Sequence, residues 1–117
     1  MKARNFRDLD VWKLGKQITL DVYAATKSFP TDERFGLTTQ MRRAAVSIPS
    51  NVAEGFNRLH NNEYRQFPFV ALGSCAELET QIEIGSDLGY LSVDVRDQLL
   101  EKLDHEGRML RSLIKRL

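Results

Sequence analysis

Thr38-Thr39-Gln40-Met41-Arg42-Arg43-Ala44-Ala45-Val46-Ser47-Ile48-Pro49-Ser50-Asn51-Val52-Ala53-Glu54-Gly55-Phe56-Asn57-Arg58 reads as one long amphipathic helix. Met41, Ala44, Ala45, Ile48, Val52 and Gly55 recur at spacings of three and four, which lines them up along one face of a 3.6-residue helix. Thr38 is a suitable N-cap, because its hydroxyl can accept one of the free amide protons of the first turn. Pro49 sits inside the segment. It removes the hydrogen bond to the Ala45 carbonyl and is expected to bend the rod.

Three further segments share this character. Upstream, residues 9–27 carry Trp12, Gly15, Thr19, Val22 and Thr26 at helical spacing, flanked by Val11, Ile18 and Tyr23. Their polar residues, Asp10, Lys13, Lys16, Gln17, Asp21 and Lys27, are left to face water. The connector from Phe29 to Gly36 has turn chemistry, with Pro30 at its start and a glycine at its end. Downstream, residues 62–88 place Phe67, Val70, Ala71, Ser74, Leu78, Ile82 and Gly85 in a stripe, closed by Gly89 as the C′ residue. Pro68 lies too deep for the first turn of a helix that begins near Asn62. A kink at that point is the reading adopted, with a later start near Gln66 as the alternative. Residues 93–116 follow Ser92 as N-cap and carry Val95, Leu99, Leu103, Leu110, Leu113 and Leu117, widened by Leu100 and Ile114. Glu106 is a polar break in that stripe. No segment alternates at the period of a strand. The expected fold is all-α: residues 1–117 form a single domain, an antiparallel up-down-up-down four-helix bundle, because short connectors make successive helices antiparallel neighbours.

Composition agrees with a globular chain. It has 117 residues, 42% hydrophobic and 28% charged, so it can bury a core and is not disordered. The net charge of +1 hides a segregation: residues 1–60 hold ten Lys/Arg against six Asp/Glu, whereas residues 61–91 hold one against five. Any basic surface must come from the first half. Cys75 is the only cysteine and lies among small apolar residues, which fits an inert buried thiol and excludes an intramolecular disulfide. The opening residues lack the apolar run of a secretory signal, and the longest uncharged stretch, Gln66 to Ala76, is shorter than the roughly 18–20 residues that span a bilayer. A cytoplasmic protein with no membrane association is expected.

The residues offer little to catalysis. A carboxylate-bridged di-metal bundle needs His three residues after Glu on two helices, and no Glu here is followed so. His60 and His105 read as ordinary surface histidines. Nothing has the spacing of a zinc, calcium or phosphate-loop motif, so no metal, cofactor or enzymatic activity is expected. The unusual feature is a polar row beside the apolar one on the second helix: Arg43, Ser47, Asn51, Glu54 and Arg58. Ser74, Glu77 and Gln81 form a shorter counterpart on the third. Either these are solvated faces carrying weak ion pairs, or they meet as a partly buried hydrogen-bonded seam that fixes register or faces a ligand or subunit. Arg42, Arg43 and Arg58, with Lys13 and Lys16 elsewhere, are the candidate cationic surface. Phe6, Phe35, Phe56, Tyr64, Phe69 and Tyr90 lie near helix ends or off the stripes, where they either cap the core or mark an interface.

The run from Phe35 to Gly55 resembles the four-helix bundle proteins encoded by intervening sequences in bacterial 23S ribosomal RNA genes. Supporting matches are Leu9-x-Val11-Trp12, Val22-Tyr23-x-x-Thr26, Phe29-Pro30, Gly73-Ser74-x-x-Glu77-Leu78-Glu79-Thr80-Gln81 and Leu88-Gly89-Tyr90-Leu91, so the resemblance spans about residues 6–115. It implies a cytosolic antiparallel bundle that assembles as a homopentamer. The accessory protein of diversity-generating retroelements looks like a relative, which implies binding of nucleic acid and of a nucleic-acid-bound protein through a basic pentameric barrel. Carried over position by position, Arg42, Arg43, Ser47, Asn51, Glu54 and Arg58 are the matching motif residues, and no catalytic residue transfers. The chain departs from the pattern at His60, which stands where a Ser would complete a capping box with Glu63, and at Pro68 and Gly85 in the third helix. The function expected is that of a non-enzymatic, self-assembling binding module for RNA or DNA, or for a nucleic-acid-bound protein. The alternative is a protein-interaction scaffold without nucleic-acid affinity.

Overall fold

The computed structural model describes residues 3–58 and 65–117. Four helices account for most of them: α1 (Asp10–Thr26), α2 (Leu37–Asn57), α3 (Gln66–Asp87) and α4 (Val93–Lys115), with single 3-10 turns at Phe6–Asp8 and Thr31–Glu33. No strand occurs among the described residues. The expected bounds hold to within one residue except at the start of α3. There the α-helix begins at Gln66, so Pro68 occupies its first turn, where a missing N–H costs no helical bond. The later start is therefore the correct reading and the kink is not needed. The capping box at His60 and Glu63, and Tyr64, lie outside the described residues.

The helices pack in a closed order, α1 on α2, α2 on α3, α3 on α4 and α4 back on α1. Their contacts run in opposite directions. Gly15, Thr19 and Thr26 of α1 meet Pro49, Ala45 and Arg42 of α2 in turn. Leu37 of α2 lies against Gly85 of α3, and Ser47 against Ser74. Gly15 and Asp21 of α1 face Glu106 and Lys102 of α4. The interior holds Ile18, Val22, Met41, Ala45, Ile48, Ala71, Leu78, Ile82, Leu103 and Leu110, all almost fully buried. Burying each large aliphatic chain of this set contributes on the order of 1.5–3 kcal/mol before chain entropy is subtracted. Val70 and Leu117 are corrections to the expected stripes: both are more than 40% exposed.

The helix ends are closed by local chemistry. Ser92 Oγ accepts the Val95 N–H at 3.2 Å, as an N-cap should. Gly89 adopts φ 81°, and the amides of Gly89 and Tyr90 return to the carbonyls of Ser86 and Gly85, so α3 ends in a Schellman motif. Thr38, by contrast, is not an N-cap. α2 starts at Leu37, and Glu33 reaches forward so that its Oε1 accepts the Leu37 N–H at 3.2 Å. The other oxygen of Glu33 accepts the Tyr90 hydroxyl at 3.0 Å, which raises the phenol pKa, and the Tyr90 ring packs 5.3 Å from Phe29. This knot ties the first connector to the last one. Phe6 packs edge-on to Trp12 at the other end of the chain's first helix, while Phe35 and Phe69 stay exposed. The aromatics thus divide between capping and display.

Pro49 lies inside α2 as expected, and the helix continues through it. The Ala45 carbonyl that proline leaves without its helical partner lies 3.0 Å from the Thr19 hydroxyl of α1, whose single proton it shares with the Gly15 carbonyl at 2.9 Å. A break in one helix has become a bond to its neighbour. Among the described residues, no helix is long and apolar enough to cross a membrane.

Two glycines carry opposite expectations. A Cβ at Gly15 would fall 2.9 Å from a Glu106 carboxyl oxygen and 3.3 Å from Ile48, inside a packed core. A Cβ at Gly85 would find only ordinary contacts, at 3.4 Å and beyond. Gly15→Ala should lose about 1–3 kcal/mol despite its better helix propensity, whereas Gly85→Ala should gain about 0.5–1 kcal/mol. Thermal unfolding of the two variants checks the pair, and a shift of the same sign in both would contradict the packing described.

Candidate functional site

Adjacent residues on a helix point about 100° apart, so Arg42 and Arg43 do not act side by side. Arg42 turns toward α1. Its Nε donates to Thr26 Oγ1 at 2.9 Å, and its guanidinium lies 4.6 Å from the centre of the Tyr23 ring. Thr26 is itself buried and donates to the Val22 carbonyl at 2.8 Å, which fixes the hydroxyl that receives the arginine. The result is a cation with a set plane, stacked on an aromatic face. Arg43 is exposed on the outer side of α2. The two arginines join Tyr23, Thr39, Val46 and Ser47 in lining a shallow groove between α1 and α2.

Lys16 of α1 and Lys27, just past its end, stand seven residues before and four after Tyr23 and are exposed, though neither lines the groove. None of these cations is held in an ion pair among the described residues. On α4, by contrast, Lys102 pairs with Asp21, Arg96 with Asp97 and Arg108 with Asp104. Arg111, Lys115 and Arg116 toward the C-terminus are likewise outside any ion pair among the described residues, so such positive charge is not confined to the α1–α2 side. Lys13 is exposed on α1, and the Lys16 ammonium lies 5.5 Å over Trp12.

The polar row of α2 faces α3, and its centre is a hydrogen-bonded seam. Ser74 Oγ of α3 donates to Ser47 Oγ at 2.9 Å. Asn51 Nδ2 reaches back to the Ser47 carbonyl at 2.8 Å and to its hydroxyl oxygen at 2.9 Å. All three side chains are half-buried. The row then changes character. Glu54 and Arg58 are exposed and pair with each other at 3.1 Å, with the guanidinium also 5.5 Å over Phe67. Of the third-helix counterpart, Glu77 is exposed, whereas Gln81 is buried and its side-chain carbonyl has no partner among the described residues. The two alternatives thus each hold for part of the row.

Sequence reading missed two things. Tyr23 and Thr26 were assigned to the apolar stripe of α1, and only the pairing of α1 with α2 shows that they hold Arg42. Glu106, the polar break of α4, is fully buried with neither carboxyl oxygen hydrogen-bonded. Burial alone pushes its pKa up from 4.5 to about 8. Its position in the heptad row was the one available signal. Cys75 is buried as expected, and burial, followed by the Glu106 charge, pushes the thiol up to about 12, so it stays protonated and unreactive near neutral pH. Among the described residues, no three of His, Cys, Asp and Glu converge as a metal-binding group.

The seam has a measurable consequence. Asn51→Ala should cost about 1 kcal/mol in denaturant unfolding, because it removes two side-chain hydrogen bonds from the half-buried Ser47 hydroxyl and carbonyl. Glu54→Ala, which removes one exposed i,i+4 pair, should cost less than about 0.5 kcal/mol. Equal losses at the two positions would deny the seam any structural weight.

No curated protein matches the chain. The family model described as 23S rRNA-intervening sequence protein matches residues 7–112, an interval that takes in all four helices except the last turn of α4 and includes the groove and the seam. The chain belongs to the 23S rRNA-intervening sequence protein family.

Proposed function

We propose that this protein is a non-enzymatic, self-assembling helical-bundle module that binds RNA, or another nucleic acid, through the groove between α1 and α2. The observation that carries the proposal is the held arginine. Arg42 is oriented by Thr26 and stacked on Tyr23, with Arg43 exposed beside it in the lining of the groove and in no ion pair among the described residues. A guanidinium with a fixed plane suits bidentate contact to a phosphate, and an accessible Tyr face beside it suits stacking of an unpaired base. Thr39 and Ser47 add hydroxyls to the lining. The expected compartment is the cytoplasm, where such a ligand is available.

One chain offers only a handful of such cations, too few for tight binding at physiological salt. Repetition of the groove around a closed homo-oligomer, the homopentamer implied by the resemblance, would multiply them, so assembly and binding belong to one proposal. A second reading, a protein-interaction scaffold without nucleic-acid affinity, is favoured by a separate observation. Phe69, Val70 and Ile84 are exposed on α3 and Leu88 just past its end, and no Lys or Arg occurs in that helix. An apolar and acidic helix face is suited to a protein partner and repels phosphate.

Titration of structured RNA and duplex DNA at increasing salt, together with light scattering for subunit number, discriminates the two. Binding through the groove predicts affinity that falls linearly in log–log form with salt. Arg43→Ala should weaken it to a similar degree for all sequences and reduce the slope by about one unit per bound site. Arg42→Ala should weaken it further, since the stacked arrangement is lost with the charge. Absence of binding at low salt, or affinity indifferent to both replacements, would leave the scaffold reading in place.

A further inference from the structure

We infer that Glu106 is a proton-operated latch between α1 and α4: neutral, its carboxyl seats the two helices together at Gly15, and its ionisation drives them apart. The carboxyl lies at the centre of the helix packing with no exposed surface, and neither oxygen has a hydrogen-bond partner among the described residues. Gly15 is the residue that admits it. Where any other residue would place a Cβ, that atom would lie 2.9 Å from Glu106 Oε2, 3.3 Å from Ile48 Cγ2 and 3.4 Å from the Pro49 nitrogen. The oxygen therefore meets an apolar wall built by α1 and α2. Proline, which carries no N–H, supplies no donor there.

The surrounding elements offer the charge nothing. α1 presents Gly15 between the buried Val11 and Ile18, and α2 presents Ile48 and Pro49, none of which titrates. From α3 the titratable group that feels Glu106 is the Cys75 thiol, which is neutral; Glu79 of α3 and Arg111 of α4, whose guanidinium lies by Gly107, act on that thiol, and the shift of Glu106 itself comes from burial and from neither charge. On α4 itself His105 and Asp104 are exposed, Arg108 pairs with Asp104, and Lys102 is engaged with Asp21 of α1. An ionised Glu106 can recover solvation only by admitting water, which requires α4 to move off the wall that Gly15, Ile48 and Pro49 build. The proton is bound in the folded state and released on unfolding over the interval from 4.5 to about 8. The stability that the neutral carboxyl contributes is thus fully present below about pH 4.5 and is lost as pH rises through about 8, opposite to the usual carboxylate trend. The latch is independent of the groove and of any ligand bound there.

Thermal unfolding of the intact protein across that interval, beside Glu106→Gln, tests the inference. The wild-type midpoint should fall relative to that of the variant as pH rises, by about 10 °C in total. Protection of the amides around Gly15 and Glu106, taken relative to the intrinsic base-catalysed exchange rate at each pH, should fall toward the alkaline end in the wild type alone. Should the variant not fold, the infrared spectrum of the wild type decides: a neutral carboxylic-acid carbonyl band persisting at pH 7 supports the latch. Parallel pH profiles for the two proteins, or no such band in the wild type, would overturn it.

Discussion

The close approach of α1 to its two neighbours at Gly15 is the constraint on which the rest of the bundle depends. A glycine there lets the α1 backbone come near enough for Thr19 to reach the Ala45 carbonyl and for Ile48 and Pro49 to fill the space a side chain would take. The carbonyl that Pro49 would otherwise leave unsatisfied is thereby answered from the next helix. On the other flank the same gap receives the Glu106 carboxyl. One missing methyl group thus sets the distance between α1 and α2 and the distance between α1 and α4. Packed interiors transmit such local dimensions, because neighbouring side chains have no free volume in which to absorb a change.

That spacing also sets the register of the polar groups farther along. From Thr19 opposite Ala45, two turns along α1 and just under one along α2 bring Thr26 within reach of the long Arg42 side chain, and the guanidinium then falls over Tyr23. On the far side of α2, the same rotation turns Ser47 and Asn51 toward Ser74 of α3. α2 therefore addresses three surroundings at once: core through Met41, Ile48 and Val52, α1 through Arg42, and α3 through the serine–asparagine seam. Its outer edge is left to Arg43, Val46 and Ser50. The segregation of charge along the chain becomes spatial by the same logic, with Arg42 and Arg43 in the groove on the α1–α2 side and an acidic, partly apolar face on α3.

Buried polarity in this bundle falls into two kinds. Thr26, Ser47, Asn51 and Ser74 are satisfied by near neighbours, so they specify register at little cost. Glu106 and the side-chain carbonyl of Gln81 are not satisfied, and such groups persist only where the surrounding fold is strong enough to carry them. The first kind accounts for which helix faces which. The second makes part of the stability conditional on the solvent.

The sequence alone determined the number of helices, their type and most of their ends. Met41, Ala44, Ala45, Ile48 and Val52 are placed on one face by helical periodicity, and Ser92 and Gly89 mark helix ends by local hydrogen bonding and positive φ, none of which needs a distant partner. Pro49 could be read as an unsatisfied carbonyl, but its answer from Thr19 could not, because that bond spans 26 residues and exists only once α1 and α2 are aligned. The same reason hid the hold of Tyr23 and Thr26 on Arg42, the reach of Glu33 to Tyr90 across 57 residues, and the difference between Asn51 and Glu54 within one polar row. Glu106 is the sharpest instance. Periodicity put it on the inner face of α4 and chemistry argued for water, and only the packing of four helices around Gly15 decided in favour of the interior.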